Sequence, residues 1–318
     1  MSSGGDPSDA ASRAVGVPHL AGRLADLAPS LLQSLLIDVH RQVGERQTAG
    51  DVLRRYRSDR YSQPSGSDPR AVAAVTARAL ADLPPEYVPI SLSPICPLGT
   101  VSALSKRGQA SVLATDRTAE VVADPNNVLA LEAAVRRGEL RRDPQRRGET
   151  VRLAAAHRVL RTQPFSPPYS QHFEMLALCT AGRATGRHGF EHAALREQVA
   201  FYVRLVESLA PPGVTTLVEI ADLDRPGPAR LLADRVCAPL RDEFPAARIE
   251  IDPARTRGAG YYVGAAFRIA VLRDDGETEF ADGGFTDWTQ TLLADRTERL
   301  LVSGAGMEQT ASAIAGPA

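Results

Sequence analysis

From Pro29 the apolar positions Leu32, Leu35, Leu36, Val39 and Val43 recur at the spacing of one face of an amphipathic helix. The segment 55–67 is polar and turn-rich and reads as a loop. Asp68-Pro69 then supplies an acidic cap and a first-turn proline for a second helix through Val72, Val75, Ala79 and Leu83, stopped by Pro84-Pro85. Residues 87–92 and 110–115 read as strands, and Asp124-Pro125 opens another helix. Two extended segments, 151–161 and 171–179, flank a turn, and a helix over 193–209 carries Leu195, Val199, Tyr202 and Val206 on one side. A strand (215–223), a helix (227–243) and a strand (247–252) follow. Asp275-Gly276 is the turn of a hairpin whose arms are YYVGAAFRIAVL and TEFADGGF. A last strand, 299–304, runs into a helix from Met307. Strands that arrive in hairpins rather than in strict βαβ alternation predict an α+β fold with an antiparallel sheet.

Composition narrows the setting. The first residues, 1–18, are rich in Ser, Gly, Asp and Ala, are expected to be disordered, and lack the basic start and apolar run of a secretory signal. The chain contains no apolar run long enough to span a bilayer, and its formal charge of −1 gives no general attraction to phosphate backbones or anionic membranes. Three widely spaced cysteines (Cys96, Cys179, Cys237) point to reduced thiols in a cytoplasm rather than to a disulfide framework. Lys106 is the only lysine, so lysine chemistry is confined to that position. The stretch 136–147 concentrates six arginines; it reads as a solvated surface loop, with an RNA or phosphate contact as the alternative.

The common catalytic signatures are absent: no GxxxxGK[ST], no GxGxxG opening a helix, no GxSxG. His188-Gly-Phe-Glu191-His192 matches the inverted zinc-protease pattern, but Gly186 and Gly189 place His188 ahead of the helix, so no metal site is expected. His157 and His172, in strand-like segments, read as structural histidines.

The order of the remaining segments is informative: LATDRTA (113–119), HRVLR (157–161), QHFEM (171–175), RGAGYYVGAAF (257–267), DGGFTDWT (282–289) and SGAGMEQ (303–309). This succession resembles the catalytic domain of class II aminoacyl-tRNA synthetases, most of all histidyl-tRNA synthetase and its paralogue, the regulatory subunit of ATP phosphoribosyltransferase. The resemblance implies one synthetase-like domain over 19–318, helical in its 19–85 part, with a central antiparallel sheet flanked by helices and a homodimeric state. With nine residues after Gln309, no C-terminal anticodon-binding domain is expected.

What the resemblance implies for the site is carried residue by residue. Asp116 takes the place of the acid that pairs with a substrate amino group, with Thr118 beside it. Arg158 takes the place of the clamp on the α-phosphate and carboxylate, and Arg161 also matches; the motif's glutamate has become Leu160, and the arginine opening the next strand has become Gln171. Glu174 falls in the substrate-facing QHFEM segment. Arg257 takes the place of a second catalytic cation, followed by Tyr261 and Tyr262. Gly283, Gly284 and Asp287 keep the glycines and acid of a ligand-approaching loop. Glu308 survives from the third motif, whereas the arginine that grips the ATP γ-phosphate is Gln309.

Removing a phosphate clamp costs on the order of 10²–10³ in rate. With the ATP side depleted, the resemblance implies a paralogue that binds an amino acid, an aminoacyl-adenylate or AMP (ATP or AMP with Mg²⁺ as cofactor) without ordinary tRNA charging, as a regulatory or partner subunit. The alternative is a ligase that activates an amino acid and passes it to a small molecule, carrier protein or tRNA-derived acceptor.

Overall fold

Small and apolar side chains at 151–160 and 172–183 pair as the antiparallel ribbon from which the sheet is built, in the register Leu153 opposite Cys179 and Arg158 opposite Glu174. The computed structural model describes residues 6–104, 113–114, 119–162, 170–211, 213–224, 230–274 and 276–315. In chain order the helices are α1 (Pro7–Val15), α2 (Leu20–Ala25), α3 (Pro29–Glu45), α4 (Ala49–Ser58), α5 (Pro69–Ala81), α6 (Thr100–Leu104), α7 (Pro125–Arg142), α8 (Gly189–Leu209), α9 (Arg230–Leu232), α10 (Ala238–Glu243), α11 (Trp288–Leu293) and α12 (Met307–Ala315). The strands are β1 (Val88–Pro89), β2 (Ile95–Pro97), β3 (Leu113–Ala114), β4 (Ala119–Val121), β5 (Val151–Leu160), β6 (His172–Arg183), β7 (Thr215–Asp222), β8 (Arg248–Ile251), β9 (Ala265–Arg273), β10 (Gly276–Thr286) and β11 (Glu298–Gly306).

Eight strands form one sheet in the order β1-β5-β6-β11-β10-β9-β7-β8, antiparallel except for the parallel pairs at its two edges; β2, β4 and β3 form a small second sheet. The α+β expectation holds. Alternation along the strands gives the large sheet two apolar faces. One buries Ala154, Leu176, Leu178, Val218, Phe267 and Leu301 under Leu195, Val199 and Tyr202 of α8 and Val72 and Val75 of α5. The other buries Leu153, Ala155, Ala177, Cys179 and Val302 under Leu129, Ala130 and Ala133 of α7 and Trp288 of α11. Alanines on both sides of the second interface let α7 approach the sheet closely.

Several expectations change. Residues 7–15, inside the segment expected to be disordered, form α1: Asp6 caps the Ser8 N–H, Pro7 fixes the first turn, and Gly16 closes the helix in the left-handed conformation. The stripe on α3 exists but is not covered; α1 to α4 bury no residue, and Leu35, Val39 and Val43 face outward. Pairing in 87–92 covers Val88–Pro89, with the Ile90 N–H donating to the Ala154 carbonyl at 2.8 Å. Of 110–115 only the two residues of β3 lie within the described residues. The arginine-rich stretch is helical up to Arg142 and is not simply a solvated loop. Arg137 is 0% exposed and sits in a fork against Glu298, with Nε–Oε2 and Nη2–Oε1 both 2.9 Å. Charge density alone hid the fact that Arg137 lies on the sheet-facing side of α7.

Candidate functional site

Arg158 and Arg161 are three residues apart along an extended segment, so their side chains leave opposite faces of the sheet. Arg158 lies on the α5/α12 face. Its Nη1 donates to Glu308 Oε1 at 3.2 Å and its Nε to His172 Nδ1 at 3.1 Å. Glu308 also accepts the Glu174 backbone N–H at 2.7 Å, and the Glu174 carboxylate accepts the Thr76 hydroxyl. Arg158, Glu174 and Glu308 are therefore brought together as a tie between the sheet, α5 and α12. Arg161 is 17% exposed on the other face: its Nε donates to the Ala123 carbonyl at 2.8 Å, Nη2 stands 3.7 Å from Asp124 Oδ2, and its guanidinium lies 5.3 Å from the Phe173 ring centroid.

The same face carries the two tyrosines expected from the sequence. Tyr261 donates to Asp124 Oδ2 at 3.1 Å; Tyr262 donates to Asp282 Oδ1 at 2.8 Å. Their rings meet edge to face at 4.9 Å, and Tyr261 meets Trp288 in the same way at 5.5 Å. Burial pushes both phenols well above the ordinary tyrosine value, and the neighbouring carboxylates push the same way, so both hydroxyls stay protonated donors. Asp282 receives Arg255 Nη2 at 2.6 Å; burial nonetheless raises its pKa above the ordinary 3.8, outweighing the opposing pull of Arg255 and the Tyr262 hydroxyl. Two parallel units result, Arg161–Asp124–Tyr261 and Arg255–Asp282–Tyr262, each an arginine and a hydroxyl on one carboxylate.

The glycines serve these rings. A Cβ on Gly284 would stand 2.6 Å from the Tyr262 ring, and one on Gly283 would stand 2.6 Å from Phe267 and from Ser303. Both glycines make room for side chains of the protein itself. Gly258, at φ +85°, gives the turn that brings Tyr262 back over it.

Arg257 is 65% exposed and gives both terminal nitrogens to Glu279, which also holds Arg268; Arg268 reaches Glu219 (2.6 Å) and Glu277 as well. Arg158 and Arg257 do not meet. They have separate carboxylate partners, and three strand spacings of about 4.8 Å lie between β5 and β10. The two residues matched to catalytic cations therefore do not form one anion clamp.

Asp287 stands at the start of α11, and Gln309 lies in the first turn of α12 against Gly306. Asp116 and Thr118 lie outside the described residues. His188 caps α8 in the left-handed conformation, before the helix as expected, with its ring 6.2 Å from that of His192. Among the described residues no group of three or more His, Cys, Asp or Glu is arranged to hold a metal ion, and no helix is long and apolar enough to cross a membrane.

The sequence pointed to the tyrosines and to Arg161 but not to their partners. Asp124 was legible only as a helix cap, a role it does fill by accepting the Asn126 N–H at 3.0 Å. Arg255 and Asp282 carry no spacing signal, being 27 positions apart.

No family model matches the sequence, and no curated protein matches it. Solved structures do resemble the fold. Apo histidyl-tRNA synthetase from S. aureus superposes with a TM-score of 0.53 at 15% identity, covering 78% of this chain and 68% of that one. An ATP phosphoribosyltransferase regulatory subunit/histidyl-tRNA synthetase from Bacillus halodurans gives 0.55 at 13%, over 80% and 83%. A histidine–tRNA ligase subunit from Alicyclobacillus acidocaldarius gives 0.55 at 12%, over 80% and 96%. At these identities the likeness establishes the fold: a class II aminoacyl-tRNA synthetase-like catalytic domain.

Proposed function

We propose that this synthetase-like chain binds an amino acid, or an aminoacyl-adenylate or AMP-like ligand, on the sheet face bearing the two tyrosine units, and does not charge tRNA in the ordinary way. The observation that carries the reading is the pairing of Arg161–Asp124–Tyr261 with Arg255–Asp282–Tyr262 on one face. Side-by-side fixed cations and carboxylates suit a zwitterion or a phosphate ester, whose charges need partners once water is excluded. Arg161, not Arg158, supplies the clamp. Gln309 offers no charge to a γ-phosphate, and Arg158 is already tied to Glu308, so binding is better supported than activation.

Binding without turnover is the behaviour of a regulatory or partner subunit, and two of the structural neighbours bear the word subunit in their names. A homodimer in the cytoplasm completes the proposal. Calorimetric titration with single amino acids, AMP and a non-hydrolysable adenylate analogue, beside ATP–pyrophosphate exchange, tests it. Saturable binding of at least one ligand without exchange is expected. Amino-acid-dependent exchange would favour the ligase, and absence of any binding would remove both readings.

A further inference from the structure

Residues 59–63, which follow α4, lie against the end of the β5–β6 ribbon. Tyr61 donates its hydroxyl proton to the Thr162 carbonyl at 2.9 Å, and His172 Nε2 stands 2.7 Å from the Gln63 carbonyl. The Gln63 side chain turns back to α4, donating to the carbonyls of Tyr56 at 3.1 Å and Arg57 at 2.7 Å. On the other side of the ring, His172 Nδ1 faces Arg158, with Nε at 3.1 Å and Nη2 at 2.8 Å. A guanidinium only donates and a carbonyl only accepts. The ring satisfies both neighbours only when neutral, with its proton on Nε2. Arg158 is in turn aimed by Glu308, whose Oε1 takes Nη1 while Oε2 takes the Glu174 N–H. The Glu308 side chain is 12% exposed against 45% for Arg158, so the acceptor is the fixed end of the pair. These bonds form one line from α4 to α12, on the face of the sheet away from the two tyrosine units.

No residue of α1 to α4 belongs to either apolar core, so the seat of this N-terminal arm on the sheet is polar. Hydrogen bonds open to water contribute little net stability, because water replaces them when they break. Seated and released arms are therefore close in free energy. We propose that residues 59–63 are a strap that seats α1–α4 on the sheet through the neutral, Nε2-protonated form of His172, and that Arg158 and Glu308 couple this seat to α12. Such coupling is reciprocal: what shifts α12 loosens the strap, and what draws the arm away frees Arg158.

Hydrogen exchange on the full chain reads the strap through three of its own amides. The Asp59 N–H donates to the Arg55 carbonyl, the Tyr61 N–H to the Asp59 carboxylate and the Ser62 N–H to the Asp59 carbonyl. His172→Phe is expected to speed exchange at these amides about fivefold or more. His172→Gln keeps one acceptor and one donor and should stay within about twofold of wild type. Glu308→Ala acts further along the line and should speed the same amides, and combining it with His172→Phe should add nothing more. Unchanged exchange in β11 shows that each variant is folded. Wild-type exchange in His172→Phe overturns the strap, and release there without release in Glu308→Ala overturns the coupling. Equal release in His172→Gln and His172→Phe overturns the two-sided role of the ring. Nitrogen-15 NMR of the wild-type imidazoles needs no variant: His172 must carry its proton on Nε2 at pH 8, and the Nδ1–H tautomer overturns the proposal.

Discussion

Arg137 and Glu298, 161 positions apart, face each other as a two-bonded fork with neither side chain exposed at all. The remaining guanidinium donors go to backbone carbonyls, Nη1 to Glu149 at 2.5 Å and Nη2 to Arg147 at 3.1 Å. One side chain thus fastens α7 to β11 and to the turn before β5. Arg137→Met leaves a buried carboxylate and two carbonyls unpaired and is expected to cost about 3–5 kcal/mol in denaturant unfolding. Adding Glu298→Leu should recover a large part of that loss. If the double variant is no more stable than the single one, the carbonyl contacts outweigh the ion pair.

The two arginines of HRVLR should separate in function as they do in space. Arg161→Gln is expected to weaken ligand binding by about 1.5–3 kcal/mol, the worth of a charged hydrogen bond. Arg158→Gln should leave affinity unchanged and lower stability by at most about 1 kcal/mol, because the Arg158–Glu308 pair is half open to water. Calorimetry and thermal unfolding of both variants check this; the reverse assignment would return the clamp to Arg158.

Burial holds the imidazole of His157 below the ordinary 6.5, with Glu174 opposing only in part. His192 is lowered by burial and by neighbouring His188, against Glu191. The unfolded chain therefore takes up these protons more readily than the folded one. Stability should fall as pH drops from about 6.5 through the depressed folded values. Unfolding series across that window should show a shallower decline in the His157→Gln, His192→Gln double variant than in the wild type.

Burial pushes the Cys179 thiol up to about 12 and that of Cys237 to about 11. Thiolate is the reactive form, so neither side chain should be alkylated in the native protein at pH 8. Mass spectrometry after iodoacetamide treatment is expected to find both modified in guanidinium chloride and neither without it.

The sheet was legible because its signals are local. β9 and β10 pair from Arg273 opposite Gly276 onward, beside the Asp275-Gly276 signal, and Leu195, Val199 and Tyr202 mark the buried side of α8. Motif order carried the fold, yet the site depended on information a linear string does not hold. HRVLR offers two arginines, and only the side from which α7 covers the sheet decides which of them meets Tyr261. Asp282 precedes the two glycines of the expected ligand loop, and no local signal shows that Tyr262 and Arg255 converge on it. Arg137, within a run of surface-type residues, could be placed only once β11 lay beneath it.

The first four helices bury no residue and carry mainly local ties; Thr48 and Asp51 close a capping box on α4, and Asp38 and Glu45 flank Arg41 on α3. Such local devices offset little of the cost of helix nucleation, and helices of this length are marginal in water without packing. Amide protons in α3 should consequently exchange through local fraying, decoupled from the cooperative opening that releases those of β6 and β11. A hydrogen-exchange map of the isolated protein is expected to fall into two classes separated near residue 60. Protection of α3 equal to that of the sheet would mean that this segment is covered in solution.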